Sequence, residues 1–356
     1  MTKSGCFSAL SVWVLAALLL GGCATVEQSS TVLHYQFSQT MRGHTSLVKS
    51  VAWSPDGKRL ASVGLAISDL DTVRMWDAVT GKQLWALQAH ITEKFQNESL
   101  PAVTSIAWSP DGKYLATSGV ETIRLWDATT AREEQIFRGN AAEPLTATTL
   151  AWSPDGKHLA SGGTDRLVRV WNAINGQPER ILRGHTQGVN SVVWSPDGSK
   201  LASCSSDKTV RLWNADTGEP LRTLSGHTAF VLSVAWSANG KLVASGGADD
   251  TVRLWNTVTG KEEMTFQANV KPGGLGSPFP GVVHSVAWRP DGRVLAFGGS
   301  DGTVRLLNVI NGRVEQVLRG HYGEVLSVAW NSEGTRLASS DFNGTIILWR
   351  NKDIEK

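Results

Sequence analysis

Two series of tryptophans run down the chain in step. The first is Trp53, Trp108, Trp152, Trp194, Trp236, Trp288 and Trp330; the second is Trp76, Trp126, Trp171, Trp213, Trp255, then Leu307 where a sixth is due, then Trp349. Successive members of the first series lie 55, 44, 42, 42, 52 and 42 residues apart. Self-similarity at this period means that each copy is one supersecondary unit, too small to bury its own apolar face and dependent on its neighbours to do so. The chain is a sevenfold repeat.

One copy shows what the unit is. Val189–Trp194 is a β-rich run, and Ser195-Pro196-Asp197-Gly198 is turn chemistry. Lys200–Ser203 makes a second strand, and Ser206-Asp207-Lys208 turns the chain again. Thr209–Trp213 alternates apolar Val210 and Leu212 with polar Arg211, the period of a half-buried strand. After Asp216-Thr217-Gly218, Leu221–Leu224 supplies a fourth strand that ends at Gly226-His227. No segment after residue 31 sustains a helical period, so the expected class is all-β.

Gly-His, then Ser-Pro-Asp-Gly, then Trp-Asp (Trp76-Asp77, Trp126-Asp127) or Trp-Asn (Trp171-Asn172, Trp213-Asn214, Trp255-Asn256) recur once per copy. This pattern resembles the WD-repeat β-propeller family over roughly residues 31–350. The resemblance implies a seven-bladed propeller with four antiparallel strands per blade. It also implies a structural hydrogen-bond network in each blade, carried here by His185, Ser203, Asp207 and Trp213, and by His227, Ser245, Asp249 and Trp255. Departures are local. The third unit has Asn140 for His; the sixth has Asn269 for His, Phe297 for Ser and Leu307 for Trp; the last has Asn343 for Asp. The sixth blade is therefore expected to hold by packing alone and to be the least stable.

Ring closure follows from what is left over at the two ends. Arg350 to Lys356 is too short and too charged for an outer strand, whereas Leu33–Met41 precedes the first Gly-His as an orphan outer strand. Pairing the orphan with the last blade removes an exposed sheet edge.

The first residues are of another kind. Phe7–Leu20 is an apolar run of fourteen, short for a membrane span and of the length of a signal-peptide core. It ends in Leu20-Gly21-Gly22-Cys23-Ala24, which resembles the lipobox of bacterial lipoproteins, where cleavage precedes a lipidated cysteine. The expected organisation is a signal peptide at 1–22, a tether at 23–30 beginning at lipidated Cys23, the propeller at 31–350 and a tail at 351–356. The matching localisation is an exported, membrane-anchored lipoprotein. In a Gram-negative host, Ala24 after the cysteine favours the outer membrane, facing the periplasm. Of the remaining cysteines, Cys6 leaves with the signal and Cys204 sits at a small buried strand position, so no internal disulfide is expected.

Net charge is +2, and Arg74, Arg124, Arg169, Arg211, Arg253 and Arg305 repeat at one strand position, so they read as repeat structure and not as a nucleic-acid surface. Phosphate-loop, His-Glu-x-x-His and Gly-x-Ser-x-Gly motifs are missing from the sequence. Asp69 and Asp71 read as solvated turn carboxylates, and Lys271 to Gly276 as a loop. No enzyme activity, cofactor or metal is expected.

Length variation falls in Gly64–Thr72, Ala89–Ala102 and Ala268–Val282, connections that share one face, the top by convention. Loops that vary on a rigid scaffold are where binding usually resides. The family pattern places residues four and six before each first-series Trp on that face near the channel. Blades 2 to 4 offer small polar residues there, among them Thr104, Thr148 and Asn190. Blades 5, 6, 7 and 1 offer Phe230, Leu232, Val282, His284, Glu324, Leu326, Leu47 and Lys49. An exposed apolar sector on such a rim is a candidate protein-partner site; the alternative is that these side chains pack under the long sixth-blade loop. The expected function is a lipid-anchored, monomeric protein-interaction scaffold of the cell envelope. The alternative is a propeller that binds a small ligand or performs chemistry through top-face loops, and clustered ionisable residues at the channel mouth would favour it.

Overall fold

A computed structural model describes residues 34–64, 72–90, 103–119, 121–139, 145–268 and 281–353. Cys23, the leader and tether, Asp69, Asp71, Asn140, Asn269, the loop containing Lys271 and most of the three length-variable stretches lie outside the described residues.

The strands group into seven four-stranded antiparallel sheets, each in sequential order except the last. Counting blades from the first Ser-Pro-Asp-Gly turn, the inner strands are Val48–Trp53, Ser105–Trp108, Ala147–Trp152, Val189–Trp194, Val231–Trp236, Val283–Trp288 and Val325–Trp330. Each packs beside the next, and the seventh packs against the first, which closes the ring around a central axis. The fourth strand of blade 7 is Tyr35–Met41, paired antiparallel with Ile346–Asn351 so that Met41 faces Ile346 and Tyr35 faces Asn351. The closure expected from the orphan strand is thus what the structure shows. Among the described residues no helix is long and apolar enough to cross a membrane.

The two tryptophan series have separate physical roles. The second series lies inside blades. Trp76, Trp126, Trp171, Trp213, Trp255 and Trp349 each donate Nε1–H to a buried Ser or Thr hydroxyl of the second strand, every bond 2.8 Å long. The first series joins blades. Trp53 donates to the Ala329 carbonyl (2.9 Å), Trp108 to Ala52 (3.0 Å), Trp194 to Ala151 (3.1 Å), and Trp152, Trp288 and Trp330 to Ala107, Ala235 and Ala287 (3.2 Å each). Trp236 is buried and its Nε1 makes no such bond. Indoles bury large apolar areas while keeping a polar handle that needs a partner, so one residue type can seal the core and pin the blade register. Blade-to-blade apolar clusters carry the rest of the packing, as between blades 4 and 5, where Cys204, Leu212 and Trp255 share one buried cluster. Cys204 is fully buried, and burial pushes its thiol pKa far up.

The intrablade network implied by the resemblance is present in blade 4. His185 Nε2 and Ser203 Oγ are 2.8 Å apart, as are His185 Nδ1 and Asp207 Oδ2, and Trp213 completes the chain. In blade 5 the corresponding His227–Ser245 and His227–Asp249 distances are 2.7 and 2.9 Å. Blade 7 corrects one expectation. Asn343 stands in the usual turn position, but Asp341, at the end of strand Arg336–Asp341, reaches His321 Nδ1 at 2.8 Å and restores the carboxylate. Blade 2 also forms a network, missed because its histidine follows Ala89 instead of Gly. His90 bonds Thr117 (2.9 Å) and Thr122 (3.0 Å).

Blade 6 substitutes packing for the network. Phe297 and Leu307 are fully buried in one cluster, with Phe266 edge-on to Phe297 at 6.0 Å. Arg305 binds Asp301 at 2.7 Å. Others of the repeated arginines are spent within their blades too: Arg124 pairs with Glu133 at 2.6 Å, and Arg169 pairs with Asp165 and Arg253 with Glu262, at 2.5 Å each.

Candidate partner-binding site

In an up-and-down blade, the connection between strands two and three and the connection to the next blade emerge on one face. The Ser-Pro-Asp-Gly turns emerge on the other. Residues just before and just inside each inner strand therefore ring the top of the channel.

That ring is chemically divided. In blades 2 to 4 the polar side chains bond to the protein itself. Thr104 meets Ser118 at 3.0 Å, Thr148 donates to the Val189 carbonyl of blade 4 at 2.9 Å, and Asn190 donates to the Val231 carbonyl of blade 5 at 2.8 Å. Thr148 and Asn190 stitch neighbouring inner strands together, and Thr104 ties its own blade to the end of strand Tyr114–Ser118. Leu232 and Leu326 occupy the same position in blades 5 and 7 and can make no such bond. Both are half-buried, as is Leu47, and Phe230 is 40% exposed. Val282 departs from the expected sector. It is buried, and its backbone bonds to Ser300 at 3.0 and 3.1 Å at the entrance to its strand.

Between these apolar positions stands a charged group drawn from three blades. His284 Nε2 and Glu324 Oε2 are 3.0 Å apart across blades 6 and 7. Burial lowers the His284 pKa; Glu324 opposes that shift, and the nearby Lys49 ammonium of blade 1 adds to it. Lys49 reaches solvent, yet the surrounding protein strips enough water from its ammonium to lower its pKa as well. A neutral imidazole donating to a carboxylate beside an ammonium is a polar recognition element set in an apolar rim. Among the described residues, no three His, Cys, Asp or Glu side chains gather as metal ligands.

The WD40 family model (WD domain, G-beta repeat) matches residues 35–77, 81–127, 133–172, 176–214 and 218–256, more than half of the chain. The chain belongs to the WD40 family. Residues 280–333 match a second model, that of the anaphase-promoting complex subunit 4 WD40 domain. Among curated proteins, coronin-7 of Mus musculus is 42% identical over 78 residues, 22% of this chain and 7% of that protein. Protein transport protein sec13 of Aspergillus oryzae is 34% identical over 91 residues, 25% of this chain and 28% of that protein. Ribosome biogenesis protein erb1 of Botryotinia fuckeliana is 40% identical over 74 residues, 20% of this chain and 8% of that protein. The chain thus spans under a third of each of these relatives.

Proposed function

We propose that this chain is a non-enzymatic scaffold, a monomeric propeller that captures protein partners through the top-face sector formed by blades 5, 6, 7 and 1. The observation that supports this most is the division of the rim. Thr148 and Asn190 are spent on backbone carbonyls and Thr104 on Ser118, whereas Phe230, Leu232, Leu326 and Leu47 offer apolar surface around the Lys49, His284 and Glu324 group. Interfaces concentrate binding energy in such apolar anchors ringed by polar groups. Two of the relatives carry names of protein transport and ribosome biogenesis, neither of them the name of an enzyme, which agrees with a partner-binding role.

The leader supports a second part of the proposal. Processing before Cys23 and lipidation there would tether the propeller to a membrane, as an exported lipoprotein of the cell envelope, with the outer membrane as its place in a Gram-negative host.

The test is affinity recovery with the anchored full chain. Phe230→Asp combined with Leu232→Asp abolishes partner recovery while the fold is kept, and Thr217→Asp on the opposite face leaves recovery intact. Loss of recovery through Thr217→Asp alone would remove the face assignment. The charged group at the mouth favours a second reading, small-ligand binding. Titration with small carboxylates that left the His284 imidazole resonance unmoved would dispose of it.

A further inference from the structure

The grooves between blades on the face of the Ser-Pro-Asp-Gly turns share one frame, and the side chains that occupy them differ. Between blades 1 and 2, Arg59 lays its guanidinium over the Trp108 ring, 4.8 Å from the centroid. It donates to the main-chain carbonyls of Ala128 (3.1 Å) and Gly112 (3.3 Å), and Trp85 Nε1 donates to the same Ala128 carbonyl (3.3 Å). Between blades 7 and 1, Arg336 donates to the matching carbonyl of Ala78 at 3.3 Å. Between blades 3 and 4 the guanidinium comes from the outer strand, Arg180 to the Asp216 carbonyl at 2.6 Å, and between blades 4 and 5 it is Arg222 to Val258 at 3.2 Å. Between blades 6 and 7, Tyr35 stands edge-on to Trp330 at 5.1 Å and donates to the Gly334 carbonyl at 2.5 Å. Between blades 5 and 6 the two positions hold Leu242 and Met264, packed on the apolar cluster around Trp288.

The groove between blades 3 and 4 keeps a cavity of about 500 Å³ beside Arg180, and the groove between blades 2 and 3 differs in having no arginine at either position. Tyr114 stands where blade 1 has Arg59, and Gln135 stands where blade 1 has Trp85 and blade 3 has Arg180. What remains is a cavity of about 630 Å³ lined by those two residues together with Trp152, Gly156, Ala173 and Glu134. Its size is that of a ligand pocket, about 300–1,000 Å³. Trp152 is half-buried, as are Trp194 beside Arg180 and Trp330 beside Tyr35, whereas Trp108, its counterpart under Arg59, is 8% exposed. The Gly156 and Ala173 carbonyls, counterparts of Gly112 and Ala128, accept no hydrogen bond from any described residue. Asp111 and Asp155, each held by the serine of its own turn at 2.6 Å, add negative potential that Lys113 and Lys157 offset in part.

We infer that this groove is a binding site for an arginine side chain of a protein partner. Its guanidinium stacks on Trp152, donates to the Gly156 and Ala173 carbonyls as Arg59 does one groove away, and takes its counter-charge from Glu134 at the lip. The planar fork of donors and the stacking face are properties of arginine that lysine lacks. The site lies on the opposite face from the apolar sector and is independent of it.

The test titrates the full chain with acetyl-Gly-Arg-Gly-amide and acetyl-Gly-Lys-Gly-amide, reading the Trp152 indole N–H resonance assigned with Trp152→Phe. The arginine peptide half-saturates the shift at about one tenth of the concentration the lysine peptide needs. Tyr114→Arg fills the groove from within as Arg59 does in blade 1, and Tyr114→Arg combined with Gln135→Trp reproduces the Arg59 and Trp85 pair of that groove; each abolishes the shift. Two variants guard against one of them failing to fold, which thermal melts check. Equal response to the two peptides, an unmoved Trp152 resonance, or a shift that persists in either folded variant overturns the inference.

Discussion

Ser203→Ala is the sharpest probe of how a blade is held. Ser203, His185 and Trp213 are all buried. The distances fit a single ordered chain of donors. Trp213 Nε1–H donates to Ser203 Oγ, whose own O–H donates to His185 Nε2, while His185 Nδ1–H donates to Asp207. Removing the hydroxyl leaves two buried polar atoms unpaired, the indole N–H and His185 Nε2, at about 1–3 kcal/mol each, or about 2–6 kcal/mol in all. In a Trp213→Phe background the indole N–H is already gone, so the same serine change costs about half as much, and the two substitutions couple by about 1–3 kcal/mol. Urea unfolding of wild type, both single variants and the double variant, followed by circular dichroism, gives the four corners of the cycle. A cost below about 0.5 kcal/mol, or an equal cost in both backgrounds, would refute the donor chain. Blade 6 already contains the limiting case. Phe297 and Leu307 replace both partners with apolar groups, so neither position carries a polar atom that needs a partner.

Further outcomes follow from closure, charge and the leader. Deleting 35–41 strips the strand paired with Ile346–Asn351 and destabilises the fold far more than deleting 352–356, as thermal unfolding of the two truncations will report. Acid weakens the fold. Burial, helped by Arg124, holds the His90 pKa at about 3, so the unfolded chain takes up a proton below about pH 6.5 that the native state refuses. Stability therefore falls with pH below that point, by about 1.4 kcal/mol per unit from His90, and the lowered His284 acts in the same direction. Asp249 adds to the loss at lower pH. Burial raises its pKa, but the His227 bond and other donors outweigh that and bring it to about 2, so its contribution disappears as pH falls from about 4 toward 2. Urea titrations at pH 7.5 and 4.5 measure the histidine part, and His90→Asn flattens the difference. Cys23→Ala abolishes lipid incorporation and membrane partitioning while Cys204→Ala does neither; labelled lipid found on the Cys23→Ala form would end the lipoprotein reading.

The repeat period, the four-strand unit and the closing strand were legible because each is local in sequence: a turn signal, an alternating run, an unmatched strand. Contacts between copies were not. The first-series tryptophans are visible as a series, but their bonds run to carbonyls in the preceding blade, which no pattern within one copy reveals. Asp341 was overlooked because the family pattern fixes a position in the turn, whereas the histidine only requires a carboxylate within reach. Val282 sits at a rim position that sequence spacing alone leaves either exposed or covered, and the structure buries it beside its backbone bonds to Ser300. The Lys49, His284 and Glu324 group draws on blades at opposite ends of the chain, so only ring closure brings its members together.

The central claim is that partners dock on the apolar sector of the top face. Hydrogen–deuterium exchange of the full chain, with and without its recovered partner, tests this directly. The account predicts slowed exchange at residues 45–48, 228–232 and 322–326 with no change in the turns at 216–218 and 238–240. Protection confined to those turns, with the top-face segments exchanging as in the free chain, would contradict it.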